Sequence, residues 1–380
     1  IVMAEDGKKM SKSLKNYSPP DGLMETYGAD ALRLYLINSG LVKAEEQRFA
    51  DSGVKDMVRR ALLPWLNAYK FLNTYTQIDN WQPDDSRPDS TNIMDQWILS
   101  RLESLKDNIA TEMENYRLYN VVPALFDFIE DLTNWYIRLN RSRFWAEGEL
   151  PDKFSAYQTL YDTLYELSLS MAPFAPFLSE TIYQSLRKMS NSDLPTSVHL
   201  CLYPESNNNR IKPLLEQAVT RMQHIILLGR QKRNQEKVKT KYPVGKLTVV
   251  HRDPELLEEI ARLEGYLRDE LNAKTIEYST EESQYIHLYA KPNSPVLGKR
   301  LGKDFKTFKQ LIEGLDSDTI EQFQNSGSLD LDGQHFEQDD ILVFREARAG
   351  TNAVSDRFIS IDMDCTLNED LVREGLAREV

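Results

Sequence analysis

Cysteine is nearly absent from this 380-residue sequence: Cys201 and Cys365 stand far apart, and neither has a Cys or His partner at ligand spacing. A disulfide framework and a zinc ribbon are thereby excluded, no structural zinc or other metal site is expected, and a reducing, cytoplasmic setting fits. Long apolar runs are missing too. The most apolar stretch, Leu160 to Leu178, is broken by Asp162, Glu166, Pro173 and Pro176, and falls short of the roughly 20 residues that a membrane span requires. Five histidines, His199, His224, His251, His287 and His335, form no His-x-x-x-His pair or triad-like cluster, so no hydrolase chemistry follows from them. Basic charge is in deficit, with 46 Lys and Arg against 59 Asp and Glu and a formal net charge of -13. Uniform, nonspecific nucleic-acid binding is therefore excluded unless the cations gather in patches. No internal repeat is visible.

What is present is material for folded cores: 41% hydrophobic and 28% charged residues, in a chain long enough for two or three domains. Residues 1–20 have neither helical nor strand period and end in the turn signature Ser18-Pro19-Pro20-Asp21-Gly22, which predicts an exposed loop. Apolar residues then recur at helical spacing over Ala29–Asn38 and Val54–Asn73. Tyr75–Asn92 is polar, with Pro83, Pro88 and the Asp84-Asp85 pair, and reads as a surface connection that Asn92 closes by capping the next helix. From Met94 to about Lys188 helix follows helix, punctuated by Pro151, Pro173 and Pro176, in the manner of an up-and-down bundle. A long helix is expected from Pro213 to about Lys237. Beyond it come short β-branched or aromatic runs, Leu247–Val250, Thr275–Tyr278, Ile286–Tyr289, Ile341–Phe344 and Phe358–Ile361, alternating with helical patterns at 254–271 and 301–312. The expected division is 1–50, 51–215 and 216–380. The chain opens at Ile1 without Met, and Leu371–Val380 reads as a helix still in progress, so a piece of a longer protein is expected.

The sharpest signal is Lys9-Met10-Ser11-Lys12-Ser13, followed by Leu14-Lys15-Asn16-Tyr17 and then Tyr27-Gly28-Ala29-Asp30-Ala31-Leu32-Arg33. Two lysines and two hydroxyls on one loop, with Lys8 beside them, can gather around a triphosphate and stabilise departing pyrophosphate. The five residues resemble the signature loop of class I aminoacyl-tRNA synthetases, and the downstream segment resembles the stretch after that loop in the branched-aliphatic subgroup. Lys15-Asn16-Tyr17 is similar to the eukaryotic-type isoleucyl branch, although Ser18-Pro19-Pro20 stands where that branch has Pro-Asp-Pro. Leu132–Trp145 and Met171–Glu180 resemble the anticodon-domain helices of the same family, in family order. The resemblance implies ATP binding by Lys9, Met10, Ser11, Lys12 and Ser13. Lys9 and Lys12 would flank the phosphates, with Lys12 the better candidate for stabilising the transition state, and Mg2+ would accompany the ATP. Isoleucine and tRNA(Ile) are the implied partners of the parent enzyme.

Two regions are expected to meet the tRNA. In the first, Trp135, Arg138 and Arg141 or Ser142 recur at three- to four-residue spacing, with Arg143 alongside. Aromatic rings can stack on bases while arginines hold phosphates; the alternative is that Trp135 is core and the arginines pair with Glu130, Asp131 or Glu147. The second region, 221–252, holds nine basic residues, including Arg230, Lys232, Arg233, Lys237, Lys239 and Lys241, against one acid, Glu236. Lys299, Lys303 and Lys306 fall on one helical face as a further candidate. In contrast, Glu313–Asp340 has nine acids and no Lys or Arg, a segment RNA should avoid; its Asp330-x-Asp332-Gly333 lacks the later ligands of a calcium loop and reads as a solvated turn.

The expected fold is mainly α: the tail of a class I nucleotide-binding domain, a helical-bundle anticodon-binding domain, then a smaller α/β or α+β domain. No His-x-Gly-His motif, first half of a nucleotide-binding fold or inserted editing domain is present, so the chain alone is expected to be inactive. A valyl or leucyl enzyme, and a non-enzymatic helical RNA-binding protein, are the alternatives. The sequence says nothing of oligomeric state.

Overall fold

A computed structural model describes residues 2–84, 86, 90–148, 150–190 and 193–377. The chain is mainly helical and divides into two compact units, Ile1–Lys212 and Pro213–Val380. Among the described residues no helix is long and apolar enough to cross a membrane.

The first unit begins with the strand Val2–Met3, paired in parallel with Gln47–Arg48, so the segment expected to be wholly loop is anchored at its start. Helices Pro20–Tyr27 and Ala29–Ile37 follow. A continuous helical run then covers Asp51–Met57, a π-helical segment Val58–Leu62, and Leu63–Ile78. Pro64 explains the π segment: it has no amide to offer four residues back, and the ladder widens rather than breaks. Val54, Met57, Ala61, Trp65, Ala68 and Leu72 form the buried stripe that the period predicted. The helix runs further than the sequence suggested, because Thr76 is buried and returns its hydroxyl to Leu72 O at 2.8 Å. Trp81, in the stretch expected to lie on the surface, is buried against Tyr157 and Tyr161, with ring centroids 5.6 and 6.2 Å away. Residues 85 and 87–89 of that stretch lie outside the described residues.

Asn92 caps Ile93–Glu114 as expected, its side chain accepting from the Met94 and Asp95 amides. Leu118–Glu130, the π segment Asp131–Ile137, Arg141–Trp145, Pro151–Met171 and Pro176–Met189 complete the bundle. Polar ties reinforce its apolar core. Buried Lys106 bridges Glu103 at 2.9 Å and also Glu166, joining two long helices.

In the second unit Pro213–Gln235 runs along a four-stranded sheet of order Ala273–Ser279, Val244–Val250, Ser360–Asp364, Ala353–Ser355. The first pair is parallel and the others antiparallel. Parallel pairing requires a crossover, which helices Pro254–Ala261 and Glu264–Leu271 provide. Gly229 permits the close approach of long helix and crossover, since a Cβ there would lie 2.5 Å from a Leu271 methyl. A separate core, including Ile286, Leu288, Leu297, Phe308, Phe323 and Phe336, gathers the pair Ile286–Pro292 and Ile341–Ala347 with helices Ser294–Leu301, Phe305–Glu313 and Ser317–Ser326.

One expectation fails here, and one element goes beyond the sequence reading. Lys299, Lys303 and Lys306 do not share one helical face, because Gly302 at φ 52° breaks the helix between them. Ser328–Leu331 and Gln334–Glu337 form an unanticipated hairpin. Asp332 and Gly333, with φ of 45° and 78°, supply the two left-handed residues that a two-residue hairpin turn needs.

Candidate functional site

The lysine loop is a small, locally braced structure. Met3 bridges back to Lys9, and Gly7, at φ 76°, turns the chain between them. Asn16 closes the far side: its Oδ1 accepts from the Ser11 amide at 2.9 Å and its Nδ2 donates to Lys9 O at 3.1 Å. Lys15 adopts a left-handed φ of 47° to let Asn16 reach back. Ser11 and Ser13 hydroxyls meet at 2.7 Å. The cations are left outside. Lys9 and Lys12 are exposed and, among the described residues, have no carboxylate partner, whereas Lys8 pairs with Asp6 at 3.7 Å. A rigid backbone carrying two uncommitted ammonium groups is suited to an anion with several oxygens. Sequence reasoning missed Asn16; only its place beside the lysines hinted at a role.

Leu132–Trp145 is not one uniform helix. The π segment ends at Ile137, and Asn140 interrupts the helix, its side chain returning to Tyr136 O at 2.7 Å. Trp135 is half-buried, while Arg138, Arg141 and Ser142 are exposed. Arg143 points the other way. Its guanidinium meets Asp95 at 2.8 and 2.9 Å and Asp152 at 2.7 Å, with the Asp95 side chain fully buried. Burial opposes its charge, but the bonds to Asp95 and Asp152 outweigh burial and raise its pKa above the ordinary arginine value. Asp95 also accepts from Ser90 at 2.6 Å and from the buried Tyr136 hydroxyl at 2.8 Å. The expectation that three arginines share one surface with few acids nearby is therefore corrected. For Arg143 the neutralising acids are Asp95 and Asp152, and sequence distance hid the first of them. The structure offers in exchange Trp145, 54% exposed, four residues beyond Arg141.

The 221–252 cations are dispersed rather than pooled. Arg230 pairs with Glu270, Lys232 with Glu236 at 2.7 Å, and Lys246 with Glu277 at 2.5 Å. Arg233 is 2% exposed and donates to the carbonyls of Tyr242 at 3.0 Å and Leu271 at 2.6 Å; burial lowers its pKa. Arg221 lies 4.5 Å over the Phe358 ring. Lys237 and Lys239 remain exposed, and half-buried Lys241 sits 4.8 Å over the Tyr242 ring. The local net charge of the sequence is thus not a surface charge, because Glu270 and Glu277 arrive from distant segments. Among the described residues no group of three or more His, Cys, Asp or Glu could hold a metal ion.

Comparison with known proteins gives two family matches. Residues 1–48 match the model described as tRNA synthetases class I (I, L, M and V), and residues 95–250 match the anticodon-binding domain of tRNA ligase. The whole chain is 45% identical to 36% of the isoleucine–tRNA ligase of Bdellovibrio bacteriovorus. It is also 41% identical to 32% of the cytoplasmic isoleucine–tRNA ligase of Mus musculus, and 40% identical to 37% of that of Saccharomyces cerevisiae. The chain spans about a third of the length of these curated relatives. Bacterial and eukaryotic relatives stand at similar identity, so the eukaryotic-type branch is not resolved.

Proposed function

We propose that this chain, which belongs to the isoleucine–tRNA ligases of class I as a portion comprising the synthetase tail and the anticodon-binding domain, carries the ATP-phosphate loop and tRNA-binding helices of an enzyme that joins isoleucine to tRNA(Ile). The supporting observation is the braced lysine loop at Lys9–Ser13, within a match that covers the entire chain. In that reaction the isoleucine carboxylate attacks the α-phosphate of ATP, pyrophosphate leaves, and a ribose hydroxyl at the tRNA 3′ end attacks the carbonyl of the adenylate, breaking the mixed anhydride and releasing AMP. Lys9 and Lys12 hold the phosphate oxygens, and Lys12 meets the charge that grows as pyrophosphate departs. Met10, Ser11 and Ser13 shape the loop under them. Magnesium would come with the ATP and screen its phosphates; the loop's own contribution is ammonium groups, which suit phosphate oxygens rather than the metal.

For the tRNA, we assign Arg138, Arg141 and Trp145, together with half-buried Trp135, to the surface that meets backbone and base. Lys237, Lys239 and Lys241 are the second contact. The division of labour follows residues 1–50 for the phosphate loop, 51–215 for the anticodon-binding helices and 216–380 for an accessory tRNA contact. Cytoplasmic residence matches the names of the mouse and yeast relatives.

In the full-length protein, Lys12→Ala should slow isoleucine-dependent ATP–pyrophosphate exchange far more than it weakens isoleucine binding, because the interaction strengthens in the transition state. Single-turnover adenylate formation measures this. An unchanged rate constant with a raised KM for isoleucine would remove Lys12 from the chemistry.

A further inference from the structure

Two motifs that the sequence sets about 140 residues apart are locked together. Between Pro151–Met171 and Pro176–Met189 the chain turns through Ala172-Pro173-Phe174-Ala175, and the second helix has no side-chain cap of its own, Ala175 occupying the cap position. Its free amides are bonded from elsewhere. Asp30, on the Ala29–Ile37 helix, accepts from the Leu178 amide at 2.8 Å and from the Phe177 amide at 3.3 Å. One turn along, Arg33 donates through Nε and Nη2 to Pro173 O at 3.2 and 2.9 Å. The carboxylate thus meets the positive end of one helix and the guanidinium a carbonyl just past the negative end of the other.

Asp30 is almost wholly buried. Burial raises its pKa above the ordinary aspartate value, and the two amides and Arg33 only partly offset this. Its helix leads back through Pro20–Tyr27 to the lysine loop, whose exit is tied where Ser18 donates to Asp51 at 2.5 Å. The same segment is anchored a second time where the Lys43 ammonium lies 4.3 Å over the Tyr119 ring of the bundle.

Building on the functional reading above, we propose that Asp30 and Arg33 are positioning residues, a clamp that holds the lysine loop in register with the helical bundle so that tRNA docked on the bundle delivers its 3′ end to the loop-bound adenylate. The clamp touches no reacting atom. It sets the distance between two sites that must be engaged by one tRNA.

The test uses the full-length protein with Asp30→Asn, Arg33→Ala and Arg33→Lys, measuring tRNA charging, ATP–pyrophosphate exchange and thermal unfolding on each. Because misplacement remote from the chemistry can cost about 100-fold, kcat for charging should fall roughly 10- to 100-fold in Arg33→Ala, and less in Asp30→Asn, whose side-chain oxygen can still accept from the Phe177 and Leu178 amides. The KM for tRNA and the exchange rate should stay within about two-fold of wild type, and the melting temperature close to it, since binding and the nucleotide site are untouched. Arg33→Lys, which still donates to a carbonyl, should recover part of the loss. Unchanged charging, or equal losses in charging, exchange and melting temperature, would overturn the clamp while leaving the ligase reading intact. A wild-type protein that fails to charge tRNA with isoleucine would overturn both.

Discussion

Arg141 and Arg143 are two positions apart on one short helix and have opposite fates, because residues at i and i+2 lie on opposite faces, one toward solvent and the other onto Asp95 and Asp152. Arg143→Ala strands a buried carboxylate, and breaking such a pair costs about 3–5 kcal/mol. Thermal unfolding should show a large drop, with charging and exchange falling together. Arg141→Ala should leave melting and exchange intact and weaken tRNA binding, the loss of one such contact being on the order of 1–3 kcal/mol. A raised KM for tRNA at constant kcat is the expected signature; parallel loss in all three assays would mean that Arg141 is structural. The sequence brought attention to these arginines through motif resemblance, but charge pairing was illegible in it. Asp95 is 48 residues from Arg143, and Glu270 is 40 from Arg230, so the partners that decide exposure lie outside any local window.

Helices were largely legible, since Val54, Met57, Ala61, Trp65 and Leu72 recur at a spacing that one buried helical face explains. Less legible was the end of Leu63–Ile78, where polarity rises but burial continues. There Asp79 receives Lys153 at 2.5 Å and the Tyr157 hydroxyl at 2.5 Å, just before buried Trp81. Burial pushes the Asp79 carboxyl up, yet those hydrogen bonds outweigh it and hold its pKa below the ordinary 3.8. A depressed folded-state pKa contributes stability that is present above the unfolded value and lost as pH falls through the folded one. Asp79→Asn should therefore lower the melting temperature at neutral pH, with the gap to wild type narrowing in acid below the ordinary aspartate range. A gap that is constant with pH would show that the carboxylate's charge is not what joins these helices. The hairpin at 328–337 escaped notice for a different reason. Its strands are four residues each and mostly polar, so pairing follows from the Asp332-Gly333 turn and from Phe336 entering the small core rather than from an apolar run.

At the scale of the molecule, a chain of net charge -13 is proposed to bind a polyanion, which requires that acids and bases be segregated on the folded surface. The structure meets this sparingly: exposed Lys9 and Lys12 at the loop, Arg141 at the bundle, and Lys237 and Lys239 past the long helix, while many other cations are spent on internal pairs. Specificity for one amino acid is not written in these residues, and the assignment to isoleucine rests on whole-chain identity. The most direct measurement is a charging panel with the full-length protein, presenting tRNA(Ile) with isoleucine, valine, leucine or methionine, on wild type and Arg141→Ala. The account predicts isoleucylation by both, with Arg141→Ala requiring more tRNA to reach the same rate. Absence of isoleucylation by the wild-type protein, or a preference for valine or leucine, would contradict it.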